Sequence, residues 1–263
     1  MLKNKIKYKI KRYRDVVRKA YWSVDSLRFR GARFYCGFCG GKFDRMRDVN
    51  THYSIRGEMI DHYTPNEICP KCRSNTRARF ILAFLEDRGD IIGSEKHILH
   101  FAPEPGIEQV LSVNPNYITA DIEPHKYKNA VFADITDIGF DDNRFDLVIC
   151  IHVLEHIEAD RQALSEIYRV LKPGGLAVIA LPTYGEETYE EPGLDGAGRE
   201  RVYGIDEHVR LNGLDVTEKM AAAGFDVKVI TKSDVPGNYW DSTIRTPHTE
   251  SDKYLFICRK PSG

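Results

Sequence analysis

Four cysteines in two tight pairs, Cys36-Gly-Phe-Cys39 and Cys69-Pro-Lys-Cys72, are the residues of this chain whose type and spacing most directly imply chemistry. Two thiolates on one tight turn chelate a single ion, and two such turns complete a tetrahedral sulfur shell. The 29 residues between the pairs exceed the commonest ribbon spacing, and His52 and His62 lie among them as competing ligands; the four cysteines are the preferred set. A closed shell leaves no open coordination position, so the expected ion, Zn2+, takes a structural role. Reduced or redox-active cysteines are the alternative, although a redox CxxC belongs at the start of a helix in a βαβ unit. Cys150 and Cys258 fall inside apolar runs and read as buried core thiols.

A second set of groups stands where apolar runs end. Ala102-Pro103-Glu104-Pro105-Gly106 reads as a tight turn into a helix whose amides can receive a carboxylate or phosphate. Asp121, followed by Ile122, ends the next run and is suited to two ribose hydroxyls; Asp134-Ile135 ends the third, a carboxylate for an adenine amino group and an apolar residue for its ring. Acidic residues after strands are common singly, but this ordered set describes an adenosine pocket. His152, Glu155 and His156 follow the fourth run, and His208 comes later with Arg210. Any of these can take a proton from a hydroxyl or amine. His156 reads equally well as a hydrogen-bonded residue opening a helix, and His208 is the preferred histidine on the substrate side.

The elements needed to position these groups are legible as alternating runs. Strands are expected at 97–102, 117–122, 130–135, 145–151, 176–182, 226–230 and 253–259. Helices are expected at 74–88, capped by Ser74 or Asn75 with Gly89 beyond its end, and at 158–171 and 213–224. Strands separated by helices mean a doubly wound α/β domain with a parallel sheet, placed at 74–263. Within it, 183–210 is non-periodic and reads as a lid or substrate loop. Ahead of it, 31–73 reads as a small zinc-ribbon module, and 1–30 as a basic helix with Ile6, Ile10, Tyr13, Val17, Ala20, Val24 and Leu27 on one stripe.

Residues 97–260 resemble the class I S-adenosylmethionine-dependent methyltransferases, in particular their type 11 group. The resemblance is carried by ADITDIGFDDNRFDLVICIHVLEHI (133–157), YRVLKPGGLAVIALP (168–182) and AAGF (222–225). CGFCG, CPKCRSNTRARF and the later DEHVRL are similar to a subgroup with a zinc ribbon in front. The resemblance implies a seven-stranded Rossmann-like sheet of order 3-2-1-4-5-7-6 whose last strand is antiparallel. It also implies that Asp121 holds the ribose of S-adenosylmethionine, Asp134 and Ile135 its adenine, and Cys150, Ile151 and His152 its methionine side, with Lys172-Pro173-Gly174-Gly175 as the turn before the fifth strand. The first motif departs from the family. His100 stands at its acidic position, Ala102 and Glu104 stand at its first two glycines, and only Gly106 is kept. Glu104 is the substitute carboxylate for the cofactor's ammonium group, and a degenerate, non-catalytic version of the fold is the alternative.

A net charge of -1 conceals an uneven distribution: residues 1–100 carry 22 Lys+Arg against 11 Asp+Glu, and the remainder 16 against 28. The basic front suits RNA, a membrane surface or the acidic half of the same chain. Three functions follow as expectations: methyl transfer to a small-molecule, sugar or lipid-linked acceptor, RNA methylation through the basic half, and non-catalytic cofactor sensing by a zinc-ribbon interaction protein. Aromatics set among Arg and Lys at Tyr13, Tyr21, Trp22, Phe34, Tyr35 and Phe38 favour RNA, and the 183–210 loop favours a small acceptor. With no run of about 18 apolar residues and no signal-peptide core, the chain is expected in the cytoplasm.

Overall fold

A computed structural model describes residue 24 and residues 26–89, 92, 93, 95–237 and 253–263. Most of the expected basic helix lies outside the described residues. Within them its stripe members Val24 and Leu27 are exposed, and a 3-10 turn, Ser26–Phe29, buries Ser26 and Phe29 instead.

The cysteine segment builds two hairpins. β1 (Arg30–Cys36) pairs antiparallel with β2 (Gly41–Phe43), and the amides of Cys39 and Gly40 donate to Cys36 O to close the first knuckle. β3 (Arg47–Ile55) and β4 (Glu58–Ile68) form a longer antiparallel ladder. The sequence does not announce it, because neither face is fully buried and so no alternation of apolar residues is required. Its tip is anchored instead: Arg56 N donates to Val202 O (2.8 Å), Gly57 N to Arg201 O (3.0 Å) and Ser54 Oγ to Arg201 O (2.6 Å).

α1 (Thr76–Asp87) starts where the Asn75 side chain accepts from Ala78 N at 2.8 Å, satisfying an amide the helix itself cannot. Its Phe80, Ile81, Phe84 and Leu85 join the core with Ile98, Leu147 and Val178. Then follow β5 (Ile98–Phe101), α2 (Pro105–Leu111), β6 (Tyr117–Asp121), β7 (Val131–Phe132), β8 (Phe145–Ile151), α3 (Asp160–Val170) and β9 (Leu171–Ala180). The order continues through α4 (Gly196–Tyr203), α5 (Val216–Ala222), β10 (Asp226–Thr231) and β11 (Tyr254–Arg259).

The sheet runs β7-β6-β5-β8-β9-β11-β10, and β11 is antiparallel to both its neighbours. Counted from β5 this is 3-2-1-4-5-7-6, the order the resemblance implies. Leu99, Val148, Ile179 and Phe256 face one core with Leu164 and Ile167 of α3, while Ile98, Leu147, Val178 and Leu255 face the other with α1. The period of two along each strand therefore feeds two cores, as a sheet covered on both faces requires.

Two expectations are corrected. The 130–135 run is a strand only at Val131–Phe132, because the Asp134 side chain accepts from Thr136 N at 2.8 Å and turns the chain. Lys172-Pro173-Gly174-Gly175 is a bulge within β9 rather than a turn before it: the pairing slips from Phe145↔Leu171 to Leu147↔Leu176, and Gly174 adopts φ 78°. Residues 183–210 contain α4, which the period did not reveal. Its Asp195 N-cap accepts from Gly198 N at 2.7 Å, its left-handed C-cap is Gly204, and the β3–β4 tip docks on its end.

Candidate active site at the strand ends

The two knuckles bring four sulfurs together. Cys36 Sγ lies 3.5 Å from Cys72 Sγ, Cys39 Sγ lies 3.8 Å from Cys69 Sγ, and all four fall within 4.8 Å of one another. Zn–S bonds of about 2.3 Å in a tetrahedron separate their sulfurs by about 3.8 Å. The donor set and spacing therefore fit a four-thiolate ion. The hydrogen bond with the Cys39 thiol lowers Cys36 to about 6, and the same bond pushes Cys39 up. His52 and His62 are elsewhere, on the β3–β4 ladder: His52 Nδ1 is 2.5 Å from Asp61 Oδ1, and His62 Nε2 is 2.5 Å from Thr64 Oγ1. They do not compete for this site.

From β5 the chain proceeds outward through β6 and β7, then returns to add β8 on the other side, so the strand order reverses between β5 and β8. Ligands in open α/β sheets bind beyond the strand ends at such a point. Two residues there have strained backbones: Ala102 after β5 (φ 46°) and His152 after β8 (φ 53°). Ala102 stands where the family pattern has glycine, and its backbone occupies the left-handed region that favours glycine, at a cost of about 1–2 kcal/mol.

A polar network spans this crevice. Arg77, from the first turn of α1, donates through Nε to Glu104 Oε1 (3.1 Å) and through a terminal nitrogen to His152 Nε2 (3.0 Å). His152 Nδ1 is 3.2 Å from Glu155 Oε1. Glu155 is fully buried, and burial raises its pKa against the opposing pull of His152. Glu155, His156 and His208 offer ligand atoms within 4.8 Å of one another, and the rings of His156 and His208 meet edge to face with centroids 4.8 Å apart.

His208 is 5% exposed, and burial lowers its pKa to about 4. It is a neutral base throughout the neutral range. Arg210, paired with it in sequence, serves instead as a clamp: it donates to the carbonyls of Leu154, Ile157 and Glu158 and pairs with Glu190. It thereby holds the loop after β8 against the 183–210 segment.

The remaining expected residues separate into two environments. Asp121 is half-buried at the end of β6, its Oδ1 accepting from Glu123 N at 2.7 Å, and Ile122 beside it is 59% exposed. A carboxylate of fixed orientation next to bare apolar surface fits a nucleoside. Ile135, Cys150 and Ile151 are buried in the cores, and Asp134 is turned toward Thr136. His100 is enclosed in the sheet, where its Nδ1 lies 2.8 Å from the Tyr117 hydroxyl; burial lowers its pKa to about 3, making it a neutral core imidazole.

Two buried neutral histidines have a measurable consequence. Their folded pKa values of about 3 and about 4 lie below the unfolded value near 6.5, so stability is complete above pH 6.5 and falls with acidification through that window. Each histidine is expected to cost about 2 kcal/mol between pH 7 and pH 5. Melting temperatures at the two pH values should therefore diverge in the wild type, and the gap should narrow in His100→Gln.

Arg77 is the site residue that the motifs missed. The only signal was a basic residue in the first turn of a helix expected to pack on the core. Arg79, two residues on and so on the opposite side of α1, was also missed. It is fully buried and donates to Ser74 O (2.6 Å), Glu67 O (3.1 Å) and Thr76 Oγ1 (2.9 Å).

Comparison with known proteins adds a sequence match. Residues 92–179 match a family model described as a methyltransferase domain. A demethylmenaquinone methyltransferase of Clavibacter sepedonicus is 49% identical over 49 residues, 19% of this chain and 20% of that protein. The mitochondrial arginine hydroxylase NDUFAF5 of Rattus norvegicus is 30% identical over 134 residues, 45% of this chain and 38% of that protein. The chain thus spans between a fifth and two fifths of the length of these relatives. Among solved structures, a methyltransferase from Archaeoglobus fulgidus is similar at a TM-score of 0.47 and 15% identity, covering 71% of this chain and 95% of that one. The match at 92–179 is seated on the strand order 3-2-1-4-5-7-6, so the α/β body of this chain carries a methyltransferase domain of Rossmann-like fold.

Proposed function

We propose that the chain is a methyltransferase that binds S-adenosylmethionine across the ends of β5, β6 and β8 and methylates a small-molecule, sugar or lipid-linked acceptor. The observation that carries this reading is the convergence, at the switch point of a matched methyltransferase domain, of Asp121 with exposed Ile122 and the Glu104–Arg77–His152 network. Asp121 holds the ribose hydroxyls, Ile122 and the 134–135 turn flank the adenine, and Glu104 and His152 face the methionine end. The bound cofactor supplies an electrophilic methyl group.

The chain's own contribution is alignment, exclusion of water and a place for the acceptor's proton. His208 receives that proton on its neutral imidazole, with His156 against its ring. The 5% exposure of His208, within the 183–210 segment, favours a small acceptor over a duplex or folded RNA. The four cysteines hold one structural Zn2+. Among the described residues no helix is long and apolar enough to cross a membrane.

The test is release of S-adenosylhomocysteine from methyl-labelled S-adenosylmethionine, with acceptors bearing hydroxyl or amine groups on small molecules, sugars and lipid-linked glycans. Turnover with one of these and none with RNA is expected, and His208→Ala should lower kcat by about 100-fold or more without loss of cofactor binding. Labelling of RNA, with binding that weakens steeply as salt rises, would move the acceptor to nucleic acid. Failure of the folded protein to bind the cofactor at all would end the proposal.

A further inference from the structure

The cysteine module and the cofactor crevice are joined by two contacts that a mere appendage would not need. The first runs through α1. Ser74 Oγ lies 3.3 Å from both Cys36 Sγ and Cys72 Sγ, Ser74 O accepts from Cys69 N (2.9 Å), and Arg79 fastens α1 to the carbonyls of Ser74 and Glu67. Thr76 N adds a bond to Glu67 Oε1 at 3.0 Å. The first turn of α1 is thus part of the second knuckle, and Arg77 leaves that turn on the side away from Arg79, toward Glu104 and His152. The second contact is Phe38, inside the first knuckle. Its ring would lie 3.1–3.3 Å from a Cβ placed on Gly106, two residues after Glu104. A side chain there would require the Phe38 ring to shift by a few tenths of an ångström, so glycine suits the close seating of the knuckle on the first turn of α2.

Glu104 is held but incomplete. Its Oε1 accepts from Arg77, whereas its buried Oε2 has no hydrogen-bond partner among the described residues. A carboxylate oxygen shut away from water without a donor is costly, and a ligand that brings a donor recovers that cost on binding. The group suited to it is cationic, compact and rich in N–H donors, which describes a primary ammonium.

We propose that Arg77, held in the first turn of α1 by the second knuckle, is a positioning residue that orients Glu104 so that Oε2 receives the ammonium group at the amino-acid end of the cofactor. This rests on the proposed cofactor reading and deepens it: the module becomes one wall of the methionine subsite. The base and ribose are gripped from β6 and β7, and the amino-acid end is gripped through the module. The two ends of the cofactor are therefore separable by mutation.

Two ligands isolate the amino-acid end, since S-adenosylhomocysteine and 5′-methylthioadenosine are both neutral thioethers and differ by the aminocarboxypropyl group. In calorimetry on the full, metal-loaded chain, Arg77→Gln and Glu104→Gln should each weaken S-adenosylhomocysteine about tenfold or more while leaving methylthioadenosine within about twofold. Arg77→Lys should recover part of the loss, because an ammonium meets one of the two partners that the guanidinium fork spans. The double variant Arg77→Gln/Glu104→Gln should be no weaker than Glu104→Gln alone, since the two act as one unit. Equal weakening of both ligands in Arg77→Gln, or unchanged binding of S-adenosylhomocysteine, would overturn the assignment. Asp121→Ala keeps the two questions apart, as it should weaken both ligands together. Wild-type protein that binds neither ligand would overturn the cofactor reading itself, and this assignment with it.

Discussion

Asp121→Ala is expected to lower the affinity for S-adenosylhomocysteine by about 100-fold or more, with little change in melting temperature. A hydrogen bond to a charged group contributes about 1.5–3 kcal/mol, and one carboxylate reaching two ribose hydroxyls makes two of them. Asp121 is prepared for this: the Glu123 amide pins Oδ1, and the half-buried side chain closes no cavity whose loss would unfold the sheet. Calorimetry with the adenosyl ligands measures the effect directly, and Asp121→Asn, which keeps one acceptor, should fall between the two. Wild-type affinity in Asp121→Ala would place the ribose elsewhere, even if the fold and the reaction class stand.

The second large effect concerns the metal. Cys69→Ser should take the bound zinc from one per chain to nearly none, because Cys69 is fully buried among Phe34, Phe43 and Met46 and a neutral hydroxyl does not replace its thiolate. Structural zinc contributes folding energy outright, and a loss of about 5 kcal/mol at about 2–4 °C per kcal/mol lowers the melting temperature by about 10–20 °C. Cys258→Ala is the contrasting variant. That thiol is buried in the sheet, 3.5 Å from the Met220 sulfur, so its removal should leave the zinc content unchanged. Equal zinc in wild type and Cys69→Ser would show that the four sulfurs are not the metal's shell.

Most of the frame was legible because local rules wrote it. The β8 run FDLVICI is apolar because both its faces are covered, Asn75 caps α1 because the first helical amides need an acceptor, and the two CxxC pairs announce the four-sulfur cluster that the fold brings together. The carboxylate at Asp121 was visible for the same reason: it stands at a strand end, and strand ends are where such sheets bind ligands.

What stayed hidden depends on contacts distant in sequence. The β3–β4 ladder has no buried face to write a period, and α4 is eight residues long; each is held by the other, through amides of Arg56 and Gly57 meeting carbonyls of Arg201 and Val202. His100 occupies an acidic position in the motif, yet the sheet closes over it and the Tyr117 hydroxyl meets its Nδ1. Arg77 and Arg79 look alike in the sequence, but turning about 100° per residue sends them to opposite sides of α1, one to the strand-end crevice and one to the knuckle. By itself, the sequence determined which groups exist and which elements carry them, since caps, periods and knuckle spacings are local. Only the tertiary structure decided which of those groups meet, because a hydrogen bond between residues 77 and 152 depends on how a helix is seated against a sheet rather than on anything near either residue.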